Sequence, residues 1–372
     1  MMDPSKALVL YSCKKRDRIA QARLLEDIEL ARALGLKVEE SHLIKLRDRP
    51  HPATYIGKGW VETVRLILVR ESIDIVVMDP DLSPIQQRAL ERIWKCTLWD
   101  RTALILMIFA QRAQTASGKL QVQLARLMYQ KSRLVHAWSH LERQRGGFGF
   151  LGGPGESQLE LDRRILDDQI IKIRKALEKV RKTRQLHRKN RKTFPLVALV
   201  GYTNAGKSTL FHALTGKNVF RANMPFATLD PTLMKVRLPL GHEIILLDTV
   251  GFISHLPEML RLAFQATLEE IMEADLLLHV RDGSSPETLR EKQDVHDVLS
   301  AMKCDLPHIE VLNKVDCLTQ EELLARHLEA PDLVAISALY QTGLSNLLQS
   351  IEERIWPVLS VHSIEALTHS DT

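Results

Sequence analysis

Long apolar runs are missing from this chain of 372 residues. None approaches the roughly 18 residues of a membrane-spanning helix, and the N-terminus lacks the basic-then-apolar order of a secretory signal. No membrane insertion and a cytoplasmic setting are therefore expected. Cysteine is scarce too. Cys13, Cys96, Cys304 and Cys317 lie far apart with no C-x-x-C pair, which suits a reducing compartment and argues against a structural zinc site. No repeat of 20–50 residues points to a solenoid. Net charge is only +5, so the placement of basic residues says more about partners than their total. No Ser/His/Asp or Cys/His arrangement stands out. His136 and His140 lie one helical turn apart, but without nearby carboxylates or cysteines they read as surface residues.

What the chain does have is room for two or three domains, and a hydrophobic share of 45% that is ordinary for a globular protein. Its organising stretch is Gly201, Tyr202, Thr203, Asn204, Ala205, Gly206, Lys207, Ser208, Thr209. This fits G-x-x-x-x-G-K-[ST], preceded by an apolar run at 195–200 that reads as a buried parallel strand. A helix comes next, which Gly216 can terminate. Glycines let backbone N–H groups converge on a β-phosphate, and the helix N-terminus adds partial positive charge. Lys207 would reach the β- and γ-phosphates, and the Ser208 hydroxyl would ligate Mg²⁺.

Further parts of a GTP site come in order. A strand at 243–248 ends in Asp248, Thr249, Val250, Gly251, where Asp248 can hold Mg²⁺ through a water and the Gly251 N–H can bond the γ-phosphate. Before it lie Phe226, Ala227, Thr228, Leu229, Asp230, with Thr228 the candidate second Mg²⁺ ligand and Thr232 its competitor. A strand at 309–312 ends in Asn313, Lys314, Val315, Asp316. A buried Asp316 carboxylate would accept two hydrogen bonds from guanine, a pair that adenine cannot offer. Ser337 and Ala338, after a last short strand, would read the guanine O6. Four such motifs at strand ends predict GTP as substrate.

Hydrolysis should be slow, because Phe252 stands after Gly251 where a water-orienting Gln would be expected. Lys207, Thr228 and Gly251 are the candidate catalytic residues. Asn204 is a candidate K⁺ ligand, its competing role being to close the loop by a backbone hydrogen bond.

Residues 1–115 read as alternating strands and helices, a small α/β domain. Within it, Thr54 to Gly59 reads as a plain turn before a phosphate contact. From 116 to 193 the pattern becomes helical. Leu120, Leu124, Leu127, Leu134, Trp138 and Leu141 form one seam, and Leu159, Leu166, Ile170, Ile173, Leu177 and Val180 another. This predicts a long antiparallel helical hairpin, or coiled-coil arm, with a glycine-rich tip at 146–155. Phe148 and Phe150 in the tip can stack on bases and Arg143 and Arg145 flank it, so all four are candidate RNA contacts. The acid-free stretch 181–192 is a candidate phosphate-backbone footprint. The nucleotide domain spans 194–357, with a mostly parallel sheet flanked by helices. Residues 358–372 read as a short disordered tail.

These motifs together resemble the HflX family of translational GTPases. The match rests on Arg143 to Gly147, Leu151 to Glu160, Gly201 to Ser208, Phe226 to Thr232 and Asp248 to Phe252. The resemblance implies a GTPase that binds the large ribosomal subunit and ribosomal RNA, reaches towards the peptidyl-transferase centre, and helps split or recycle stalled ribosomes. It also implies ATP binding through the N-terminal region, although Trp60 stands where a basic residue is expected. The chain runs about 16 residues past Trp356, so the extra C-terminal domain of some members is expected to be missing. A monomer is expected. The alternatives are an RNA helicase using the N-terminal domain as an ATPase, and a non-catalytic scaffold.

Overall fold

In the computed structural model, the described residues are 5–13, 19–46, 50–144, 154–189, 194–216, 224–254, 257–264, 269–330 and 332–357. They fall into two compact units. The tip residues Arg145, Phe148 and Phe150 and the tail 358–372 lie outside the described residues, as does the Arg143 side chain.

The first unit opens with β1 (Lys6–Cys13), α1 (Ala20–Ala33), β2 (Lys37–Lys45), α2 (Lys58–Glu71), β3 (Ile75–Asp79), α3 (Pro84–Trp94), β4 (Thr97–Asp100) and α4 (Arg101–Arg112). The strands are all parallel, in the order β2-β1-β3-β4. Such strands are buried on both faces, and β1 is buried along nearly its whole length. Leu8, Leu10, Val76, Met78 and Leu98 share a core with Val64 and Leu68 of α2 and Leu90 and Trp94 of α3. Helix α1 packs on β1 and β2 and against α4. Helix starts obey local chemistry: Ser83 and Gln86 form a capping box with Pro84 at the first turn of α3. The Asp100 carboxylate accepts from Ala103 N at 2.7 Å to begin α4.

Two long helices continue the chain, α5 (Ala116–Gln144) and α6 (Pro154–Lys189). At 29 and 36 residues they extend about 43 and 54 Å at 1.5 Å per residue. The sequence seam is buried where Leu124, Leu127, Ile170 and Ile173 lie, and Lys131 of α5 pairs with Asp167 of α6. Residues 224–230 and the stretch around α8 (Glu258–Ala263) also belong to this unit.

The second unit contains β5 (Leu196–Val200), α7 (Lys207–Thr215), β6 (Thr232–Arg237), β7 (Glu243–Asp248), β8 (Leu276–Asp282), α9 (Thr288–Ala301), β9 (His308–Asn313), α10 (Gln320–Glu329), β10 (Val334–Ala335) and α11 (Leu344–Ile355). Sheet order is β10-β9-β8-β5-β7-β6, parallel except for β6 against β7. Its core joins Val197, Leu199, Leu246, Leu278 and Val311 to Leu210 and Phe211 of α7 and Leu347 and Ile351 of α11. The motifs at Gly201, Asp248, Asn313 and Ser337 lie at the carboxyl ends of parallel strands, where sheets of this class bind.

Candidate functional site

The phosphate loop joins β5 to α7. Gly201 sits so close to β8 that a Cβ there would lie 2.1 Å from the Val280 carbonyl oxygen, so only glycine lets the loop cross the sheet edge. Gly206, at φ 91°, turns the chain into α7 and presents its N-terminus. Asn204 holds φ 62°, a conformation that Asn tolerates better than most residues.

Lys207 lies 5% exposed, its Nζ donating to the carbonyls of Gly201 at 3.0 Å and Tyr202 at 2.7 Å. Burial lowers its pKa to about 8, with Asp248 pulling the other way. A cation held by two loop carbonyls is poised to exchange them for phosphate oxygens, which are the stronger acceptors. Ser208 Oγ donates to Asp248 Oδ2 at 2.8 Å, and Asp248 is fully buried at the end of β7. A hydroxyl and a carboxylate side by side are hard oxygen donors that fit Mg²⁺. Bound there, the ion supplies charge neutralisation at the β- and γ-phosphates.

The stretch after β7 is laced to the phosphate loop. Thr203 N donates to the Phe252 carbonyl at 2.7 Å, Phe252 N donates to Gly201 O at 3.1 Å, and Ser254 N donates to the Tyr202 hydroxyl at 2.9 Å. A Cβ on Gly251 would meet Thr203 Cα at 2.9 Å and Lys207 Nζ at 3.0 Å, so glycine permits this approach. Thr249 Oγ1 is occupied by the Leu199 carbonyl at 2.6 Å. Phe252 is 4% exposed. Its ring is used in packing, and its backbone fixes the loop.

The base-reading groups form a second network. Asn313 Nδ2 donates to Ala205 O at 2.9 Å, and its Oδ1 accepts from Ala338 N at 3.0 Å. Asn313 thus ties the phosphate loop to the segment after β10. Lys314, at φ 62°, pairs its Nζ with Asp282 Oδ2 at 2.6 Å. Ser337 Oγ donates to Asp316 Oδ1 at 2.5 Å. Asp316 corrects one expectation: it is exposed rather than buried, because the short 3₁₀ turn Val315–Cys317 carries it out beyond β9.

Phe226 to Asp230 pack within the first unit instead. Phe226, held at φ 55°, stacks edge-on against Phe109 of α4 at 4.7 Å, and Phe264 meets the same ring at 4.8 Å. Asp230 accepts from Gln114 N at 2.8 Å, Thr115 N at 2.9 Å and Thr115 Oγ1 at 2.5 Å. It therefore braces Thr115, whose own Oγ1 accepts from Gly118 N at 3.0 Å and caps the start of α5. Thr228 is half-buried in this stretch.

Sequence reasoning did not name Tyr202 and Ser254 as a pair, Asp282 as the partner of Lys314, or Asp230 as the brace of the α5 cap Thr115. Asp282 alone left a signal, an acid ending the stretch 276–282 that opens with three leucines. Thr54 and its neighbours form the expected turn: Thr54 Oγ1 donates to Ile56 O at 2.8 Å and Tyr55 takes φ 63°.

Comparison with known proteins agrees with this geometry. Residues 21–110 match the family "GTP-binding GTPase N-terminal", 112–191 "GTP-binding GTPase Middle Region" and 196–314 "50S ribosome-binding GTPase". The chain is 47% identical to the GTPase HflX of Magnetococcus marinus, over 95% of this chain and 82% of that protein. It is 45% identical to the GTPase HflX of Escherichia coli, over 86% of this chain and 76% of that protein. The crystal structure of SsGBP with GDP superposes with a TM-score of 0.52 at 25% identity, covering 94% of this chain and 98% of that one. Phosphate loop, base-reading network and near full-length similarity converge: the chain belongs to the HflX family of GTPases.

Proposed function

We propose that this GTPase acts on the large ribosomal subunit in the cytoplasm, as a monomer, and splits or recycles stalled ribosomes. The observation that supports this best is where the segment bearing Thr228 is anchored. Two residues beyond Thr228, Asp230 holds Gln114 and Thr115 at the start of α5, the helix that leads to the glycine-rich tip. If a γ-phosphate and Mg²⁺ recruit Thr228, Asp230 is drawn along and the base of the arm feels it, an order–disorder switch of the kind GTPases use. The family description matched at 196–314 names the 50S ribosome as partner class. The length of the arm and the basic stretch at its return suit reach into structured RNA.

Arg143, Arg145, Phe148 and Phe150 are the proposed RNA contacts. With Phe252 buried, water must be positioned by something other than a Gln side chain, and a K⁺ ion at Asn204 is the proposed contributor.

The test is GTP turnover by the full chain, alone and with large ribosomal subunits, beside Phe148→Ala/Phe150→Ala. Strong stimulation that the double variant weakens is expected. Subunits that leave the rate unchanged would overturn the reading. Replacing K⁺ by Na⁺ should slow the unstimulated rate, and an equal rate removes K⁺ from the scheme.

A further inference from the structure

A second cluster of polar groups lies on the face of the second unit covered by α9. Strands β8 and β9 are parallel and their register pairs His279 with Glu310, so the two side chains stand abreast on one face of the sheet. Helix α9 crosses β8 and carries Lys292 and His296 one turn apart, hence on the same helical face. One donor atom from each of His279, His296 and Glu310 lies within 4.8 Å of the other two.

Three features distinguish this from ordinary core packing. His279 is 2% exposed, and its Nδ1 is buried without a hydrogen-bond partner among the described residues. Buried imidazoles ordinarily have both nitrogens accounted for. Burial also lowers the His279 pKa to about 3, which keeps the ring in the neutral form that metals bind. Lastly, the Glu310 carboxylate is held in place from one side by Arg281, Nη1 to Oε2 at 2.9 Å. Outer contacts of this kind orient a ligating group.

We propose that His279, His296 and Glu310 form a binding site for a transition metal of the zinc class. Two imidazoles and one carboxylate are a donor set for zinc, with water in the fourth position. They are a poor set for magnesium, which prefers oxygen. This site is thus separate in chemistry from the oxygen pair Ser208 and Asp248. Glu310 Oε1 is now paired with Lys292, whose side chain is 31% exposed and can leave for solvent. Metal and lysine therefore compete for the same oxygen, while Arg281 keeps the other. His308, edge-on to His296 at 5.5 Å, lies at the rim and is not required. Once bound, the metal would staple α9 to β8 and β9 just before the strands deliver Asp282 and Asn313 to the base-reading network.

The experiment uses the full chain stripped with chelator, titrated with Co²⁺ under visible absorption and then with competing Zn²⁺. Parallel titrations use His296→Gln, Glu310→Gln and Lys292→Ala, with GDP binding as the check that each variant is folded. One equivalent of metal is expected, with a Cys-free tetrahedral spectrum, weakened about 100-fold or more by His296→Gln and by Glu310→Gln. Lys292→Ala should tighten it. Absence of binding would overturn the proposal. So would affinity indifferent to His296→Gln and Glu310→Gln, since the chain's 14 histidines and 4 cysteines could then be holding metal elsewhere. Weaker binding in Lys292→Ala would equally contradict the competition.

Discussion

The two parallel sheets make an instructive pair. Each places acidic side chains at the carboxyl ends of its strands, the position where open α/β sheets bind ligands. In the second unit those groups face a glycine-rich loop and a helix N-terminus. Ser208 and Asp248 share one hydrogen bond, and Lys207 rests on two carbonyls it can leave. In the first unit the equivalent groups are spent on a helix start, hydroxyls and an arginine. Asp100 accepts from Ala103 N and from the Tyr129 hydroxyl, and also pairs with Arg133. Asp81, two residues past β3, accepts from Thr102. Similar topology gives a nucleotide site in one case and a locked framework in the other. Function is in the groups at the strand ends and not in the sheet.

If that contrast is right, breaking the framework should cost stability, and breaking the nucleotide site should cost activity. Asp100→Ala tests the first half. It removes the N-cap of α4 and leaves Arg133 half-buried without its carboxylate. Removing one partner of a buried ion pair costs about 3–5 kcal/mol, read as a lower urea midpoint. A loss below about 1 kcal/mol would show the network to be dispensable. Lys207→Ala tests the second half. GTP turnover should fall about 10²–10³-fold with the urea midpoint little changed, since its burial already disfavours the charge. A large drop in midpoint would mean that the lysine is structural here too.

The lowered pKa of Lys207 sharpens the contrast further. The free protein holds the ammonium only up to about pH 8, while phosphate contact demands it. Nucleotide binding must therefore take up a proton above that pH. Affinity for GDP should fall about fivefold between pH 8 and pH 9, as the protonated share of Lys207 drops from about one half to about one tenth. Stability of the free protein should move the other way. The unfolded chain keeps this lysine protonated up to its ordinary pKa, so unfolding takes up a proton across that window and stability rises with pH. Lys207→Arg, which cannot deprotonate there, should abolish both slopes. A pH-independent wild-type affinity would contradict the assignment.

The nucleotide loop was legible in the chain because its chemistry is local: Gly201, Gly206, Lys207 and Ser208 act within eight consecutive residues. The base-reading segment was legible for the same reason, although the exposure of Asp316 was not, since the direction of a turn is set by the packing of the residues beyond it. Two strands escaped. β6 pairs at the sheet's edge and puts Leu233 on its exposed face, so apolar and polar residues do not alternate in its sequence although burial does, and β8 contains His279 and Arg281 within an otherwise apolar run. The cluster of His279, His296 and Glu310 escaped entirely. Its members come from two strands and a helix with no fixed spacing, and only strand register brings them together.

Asp230 belongs to neither half of the comparison cleanly, and is the smallest effect to measure. In sequence it sits among nucleotide-domain motifs, yet its carboxylate is spent like those of the first unit, on the backbone of Gln114 and Thr115. A Cβ on Gly118 would lie 2.2 Å from its Oδ1, so α5 also makes room for it. Asp230→Ala should loosen the Thr115 cap of α5 that it braces, at a cost of about 1 kcal/mol or less, and a modest midpoint shift would confirm no more than that. The informative readout is stimulation by large ribosomal subunits. If Asp230 carries the state of Thr228 to the arm, stimulation falls in Asp230→Ala while the unstimulated rate stays near wild type. If Asp230 only braces the Thr115 cap, Asp230→Asn, which still accepts through its amide oxygen, restores stability and stimulation together. Stimulation that survives Asp230→Ala intact would place the connection between nucleotide and arm elsewhere, with the Phe109, Phe226 and Phe264 cluster the next to vary.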